Sequence, residues 1–152
     1  MKPRPVMTPT TDSVTLADAY ASELSGDDPA ELLARRGVEL RACPDALALP
    51  GKVVWGMWHP SIRRVELFGC GKGRSDRDIV LCLAHEIWHM DHPGPRSPND
   101  ETRADRFARR LLRRLNPVRV GVCATALRRM ARPASSPCRV EDIHANPVRI
   151  GP

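Results

Sequence analysis

The stretch Asp78-Ile79-Val80-Leu81-Cys82-Leu83-Ala84-His85-Glu86-Ile87-Trp88-His89-Met90-Asp91-His92 constrains this chain more than any other. It follows Ser75-Asp76-Arg77-Asp78, a start resembling a capping box, and ends before Pro93-Gly94-Pro95-Arg96, so it reads as one helix running to about Asp91. Ile79, Val80, Leu81, Leu83, Ala84, Ile87, Trp88 and Met90 make it apolar almost all the way round, and such a helix belongs in the middle of a fold. The exceptions, Asp78, Cys82, His85, Glu86, His89 and His92, fall within an arc of roughly 120° at 3.6 residues per turn. Ionisable groups on a core helix are costly unless they are paired or hold a metal.

His85-Glu86-Ile87-Trp88-His89 is an HExxH motif. Residues four apart on a helix are separated by about 40° around its axis, so the two imidazoles project together and can bind one ion. Glu86 lies about 60° from His89, close enough to act as a general base without having to be a ligand. A catalytic zinc site needs a third protein ligand and one open position. Ser97-Pro98-Asn99-Asp100 is expected to open a following helix, with Pro98 at its first position, that runs to about Leu115. Glu101 is the best candidate ligand there. It shares a face with Ala104, Ala108, Leu111, Leu112 and Leu115, opposite Arg103, Arg106, Arg109, Arg110, Arg113 and Arg114, which directs it toward the core. The two alanines permit close approach to the histidine helix, and Asp105 is either an alternative ligand or an acceptor that holds one imidazole.

The rest of the chain supplies a small scaffold. At 152 residues and 41% hydrophobic content it fits one globular domain and excludes wholesale disorder. The expected organisation is a flexible arm at 1–11, a domain at 12–131 and an extended tail at 132–152. A first helix, capped by Thr11, Asp12 or Ser13, turns Val14, Leu16, Ala17, Tyr20, Ala21 and Leu24 inward and stops at Gly26. Asp28 caps a second, with Pro29 at its first position, Leu32 and Leu33 inward and Gly37 at its end. Strands are expected over Val38 to Ala42, Lys52 to Trp58 and Ile62 to Phe68, the last two as a hairpin in an antiparallel or mixed sheet. Gly69-Cys70-Gly71-Lys72-Gly73 lacks the spacing of a phosphate loop and reads as a flexible connector. A last helix is expected over about Val118 to Met130.

Charge and cysteine usage narrow the setting. The net charge is +6, carried by Arg, since Lys occurs only at Lys2, Lys52 and Lys72. The Arg face of the second motif helix reads as solvated surface, with nucleic-acid binding as a lesser alternative. Cys43, Cys70, Cys82, Cys123 and Cys138 form no CxxC pair and are expected to be reduced thiols. No apolar run reaches the roughly 20 residues that span a bilayer, and Met1 to Asp12 carries no secretory apolar stretch, so a cytoplasmic protein without membrane contact is expected.

Leu83-Ala84-His85-Glu86-Ile87-Trp88-His89-Met90-Asp91-His92, followed by Glu101-Thr102-Arg103-Ala104-Asp105-Arg106-Phe107-Ala108-Arg109-Arg110-Leu111-Leu112, resembles the paired motifs of the ImmA/IrrE family of small zinc metallopeptidases. The second stretch is similar to that family's ExxAxxFAxxLL signature, whose glutamate is the third zinc ligand. Trp88 stands where the family usually has Gly, and Arg113-Arg114-Leu115-Asn116-Pro117 replaces its common Met-Pro. The resemblance implies an α+β, zincin-like minimal metallopeptidase domain: a small sheet packed on the HExxH helix and the Glu-bearing helix. It implies Zn2+ held by His85, His89 and Glu101, Glu86 as catalytic base, and a protein substrate of the kind of a helix-turn-helix transcriptional repressor of a mobile element or stress system. His92, His144 and Tyr20 are the candidate donors for the oxyanion. The rival expectation is a non-catalytic regulator that binds a repressor or DNA through the same fold.

Overall fold

The computed structural model describes residues 9–71 and 73–131, with side chains from residue 15 onward. In chain order these form helices α1 (Pro9–Leu24) and α2 (Pro29–Ala34), strands β1 (Glu39–Ala42), β2 (Leu47–Leu49), β3 (Lys52–Val54), β4 (Gly56–His59) and β5 (Arg64–Leu67), and helices α3 (Asp76–Asp91), α4 (Asp100–Arg114) and α5 (Pro117–Met130). The architecture is α+β. Among the described residues no helix is long and apolar enough to cross a membrane.

Local chemistry sets most of these boundaries. α1 begins at Pro9, ahead of the expected caps at Thr11 to Ser13, because a proline's fixed φ and missing N–H suit the first turn of a helix. The Asp28 carboxylate accepts the Ala30 N–H at 2.7 Å and caps α2, with Pro29 following it as expected. Ser75 caps α3 by accepting the Asp78 N–H at 3.1 Å. α4 starts later than expected. Pro98 lies in the preceding turn, where the Asp100 carboxylate accepts the Ser97 N–H at 2.8 Å and the Ser97 hydroxyl at 3.0 Å. Asn116 accepts the Arg119 N–H at 2.9 Å and starts α5, with Pro117 at its first position.

The sheet is mixed, in the order β1-β5-β4. β1 runs parallel to β5, and β4 pairs antiparallel with β5 in the register Gly56 to Leu67 and Trp58 to Val65, so the expected hairpin forms. The expected strand over Lys52 to Trp58 is divided. β3 pairs with β2 in a separate two-stranded ribbon, and Trp55 is the joint where the chain leaves one sheet for the other. Val65, Leu67, Leu40, Ala42 and Trp58 join one core with Ile79, Leu83 and Ile87 of α3 and with Ala104, Phe107, Ala108 and Leu111 of α4. The HExxH helix is therefore central, as its composition demands. On β4 and β5, His59 Nε2 and Glu66 Oε1 lie 2.7 Å apart and both side chains are buried.

Two expectations are corrected. The segment after β5 is anchored rather than flexible: Gly69, at φ +69°, donates to the Asp45 carbonyl, Cys70 to Cys43 and Gly71 to Pro44, at 2.8, 3.0 and 3.0 Å. Cys43 is disulfide-bonded, whereas Cys70, Cys82 and Cys123 are free as expected. Pairing depends on spatial approach of the Cα atoms, which spacing along the chain does not reveal. Cys138, His144 and the expected tail at 132–152 lie outside the described residues, as do 1–8 of the expected arm.

Candidate metal centre

His85 and His89 occupy successive turns of α3 and turn their rings to one side, Nε2 to Nε2 at 3.2 Å. α4 crosses beside them, with Ala104 and Ala108 buried against the core, and brings in Glu101 from its first turn. Glu101 Oε1 is 3.3 Å from His85 Nε2, and Oε2 is 2.7 Å from His89 Nε2. Ligand atoms on a tetrahedral zinc ion, each bonded at about 2.0–2.1 Å, sit about 3.3 Å from one another. The three side chains, whose candidate ligand atoms lie within 4.8 Å of each other, fit that requirement. Glu101 differs from expectation in its burial: its side chain is 62% exposed, because the first turn of α4 projects past the core to the mouth of a cleft.

Asp105, one turn along α4, resolves its two expected roles. Its Oδ1 lies 2.8 Å from His85 Nδ1, the ring nitrogen facing away from His89. A carboxylate there accepts the Nδ1 proton, which assigns the tautomer whose Nε2 lone pair faces Glu101 and His89. Asp105 is thus the acceptor that orients an imidazole. Burial pushes the His89 ring below its ordinary pKa, the Arg96 charge acts in the same direction, and Glu101 opposes them. A neutral ring is the form that binds metal.

Glu86 stands beside this cluster and outside it. Only 7% of the residue is exposed. Burial raises its pKa to about 7, opposed by His85 and by the Trp58 main-chain N–H that its carboxylate accepts, while Glu101 adds to the rise. The strand in front packs closely on this carboxylate at Gly56: a Cβ there would lie 3.0 Å from both Glu86 Cγ and Oε2. A carboxyl that titrates near neutrality can both take up and release a proton.

These groups line a cleft of about 610 Å³ between the α3–α4 side and the Lys52 to Trp58 strands. Among the described residues, the expected oxyanion donors do not reach it. Tyr20 donates to Asp91 Oδ2 at 2.6 Å, tying α1 to the end of α3, and burial drives its pKa up. His92 Nδ1 donates to the Trp88 carbonyl at 2.7 Å, and its ring stacks on Trp88 with centroids 4.0 Å apart. Trp88 is buried and meets the His89 ring edge-on at 5.3 Å, so it is a packing support for a candidate ligand.

The tertiary structure adds Gly56, Trp55, Arg96 and Lys52 to the cleft. Gly56 carried a sequence signal, since an isolated glycine in a strand marks close approach of another group. The other three carried none, because their place in the cleft depends on how loops and ribbon fold over α3. Compared with models of protein families, with curated proteins and with solved structures, the chain matches none of them.

Proposed function

We propose that the chain is a zinc-dependent endopeptidase with a zincin-like fold, similar to the ImmA/IrrE family. The reading extends to a cytoplasmic enzyme whose protein substrate is a helix-turn-helix repressor. One observation carries the chemistry: the buried Glu86 carboxyl lies next to three converging ligand atoms without being one of them, and burial raises its pKa to about 7. A site that only held an ion would have no use for such a group.

His85, His89 and Glu101 would hold the zinc, and Asp105 fixes the His85 ring. When bound, zinc supplies Lewis acidity to a substrate carbonyl and lowers the pKa of a nearby water. Glu86 takes a proton from the attacking water while the water's oxygen bonds to the carbonyl carbon. The same carboxyl then gives that proton to the amide nitrogen as the C–N bond breaks, leaving a carboxylate and an amine. The Trp58 N–H and the snug fit over Gly56 keep Glu86 aimed through both transfers. β4 has β5 on one side only among the described residues and borders the cleft, which suits an extended peptide laid along its free edge.

The test is zinc content per chain, by elemental analysis of wild type, His85→Ala and Glu101→Ala, together with peptide hydrolysis by Glu86→Gln. About one zinc in wild type, its loss in both folded ligand variants, and collapse of hydrolysis in a zinc-retaining Glu86→Gln protein are the expected results. A Glu86→Gln protein that relieves a repressor as well as wild type would establish the rival, a regulator acting by binding alone.

A further inference from the structure

The outer face of α4 carries positive charge that the fold itself does not use. Arg106, Arg109 and Arg113 are all exposed. At 3.6 residues per turn they fall within an arc of about 60° and span roughly 10 Å along the axis, so they form one ridge. The other arginines of the helix have acidic neighbours. Arg103 lies 3.8 Å from Asp100, and Asp18 of α1 lies 3.8 Å from Arg110 and 3.0 Å from Arg114. Arg106, Arg109 and Arg113 have no carboxylate partner among the described residues.

The carboxylates of α4, which interrupt its basic run in sequence, are drawn away from the ridge. Asp100 accepts two bonds from Ser97, Glu101 turns to His85 and His89, and Asp105 turns to His85. What remains is like charge at spacings of three and four residues, which weakens a helix standing alone. An anion laid along the ridge reverses that repulsion.

The chemistry of the ridge selects among anions. A planar guanidinium pairs two N–H groups with two phosphate oxygens. One strand of a double helix presents a phosphate about every 3.4 Å along its axis, so about three fall within the length of the three arginines. Phe107, the one aromatic residue of α4, is buried, so the outer face has no platform on which single-stranded bases could stack. We infer that Arg106, Arg109 and Arg113 dock the protein on the phosphate backbone of a double-stranded nucleic acid without reading its sequence. The inference stands apart from the peptidase reading, since none of the three lines the cleft.

The test is fluorescence anisotropy of the full chain with a labelled DNA duplex of about 20 base pairs, titrated between about 50 and 200 mM salt. Three phosphate contacts predict a slope of about −2.7 in log association constant against log salt, a loss of about 40-fold across that range. Arg106→Gln, Arg109→Gln and Arg113→Gln are each expected to make the slope shallower by about 0.9, with circular dichroism unchanged. The chain carries +6, so net charge alone attracts polyanions, and Arg129→Gln, an exposed arginine on α5, is the control expected to leave the slope as it is. A duplex of scrambled sequence binds equally, and an RNA duplex beside the DNA shows which backbone is preferred. Binding without salt dependence, a slope that the ridge variants leave intact, or an equal effect of Arg129→Gln overturns the inference. So does tighter binding of a poly-glutamate peptide than of either duplex, which would make the partner an acidic protein. Zinc content and peptide hydrolysis are expected to survive all three ridge substitutions together, so loss of duplex binding and loss of the peptidase are separate results.

Discussion

Glu86 is the residue on which the proposed chemistry turns, and its burial has a measurable cost. A carboxyl that titrates near 7 in the folded chain and near 4.3 when unfolded binds more protons in the folded state between those values. Stability of the metal-free protein therefore falls as pH rises through that window, and the penalty is complete above it. Glu86→Gln removes the penalty. In urea denaturation with chelator present, the variant is expected to exceed wild type by about 3–4 kcal/mol at pH 8 and to match it at pH 4. Parallel pH profiles would mean that Glu86 is not buried as described. Gly56 tests the same carboxylate from the other side. The methyl of Gly56→Ala displaces Glu86 by a few tenths of an ångström, and hydrolysis is expected to fall roughly 10- to 100-fold with zinc content unchanged.

At the scale of elements, the site is a relation between two helices. α3 supplies both imidazoles because residues four apart share a face, and that much follows from the motif alone. α4 supplies Glu101 and, one turn on, Asp105, and it can do so because Ala104 and Ala108 let it lie close to α3. Asp105→Asn retains a side chain of the same shape but weakens the acceptor on His85 Nδ1. Zinc affinity, measured by competition with a chelator, is expected to drop about 10- to 100-fold while the helices remain folded. An unchanged affinity would reduce Asp105 to a surface residue. The strands were less legible. Leu47-Ala48-Leu49 is too short to show a period between its flanking prolines, so β2 carries no sequence signal. Lys52 to Trp58 looked continuous because both of its halves are strand, and only their different partners divide them at Trp55.

For the whole molecule, one core ties the site to the frame. Phe107 is buried and meets Tyr20 edge-on with centroids 6.2 Å apart, joining α4 to α1, while Tyr20 joins α1 to Asp91 at the end of α3. Phe107→Ala is expected to cost about 3–5 kcal/mol in urea denaturation. Zinc at a hundred times its Kd should restore about 2.7 kcal/mol to that variant through binding to the folded state, and nothing to one that also carries His85→Ala. The sequence by itself determined the central helix, its two histidines, the neighbouring glutamate and the second helix with Glu101, because these depend on periodicity within one segment. Tertiary structure alone decided that Asp105 meets His85 Nδ1 while His85, His89 and Glu101 converge, that Gly56 lies against Glu86, and that Trp55 and Arg96 line the same cleft. Each of those is a contact between segments far apart in the chain, and a helical or strand period says which face a residue occupies but not what lies opposite it.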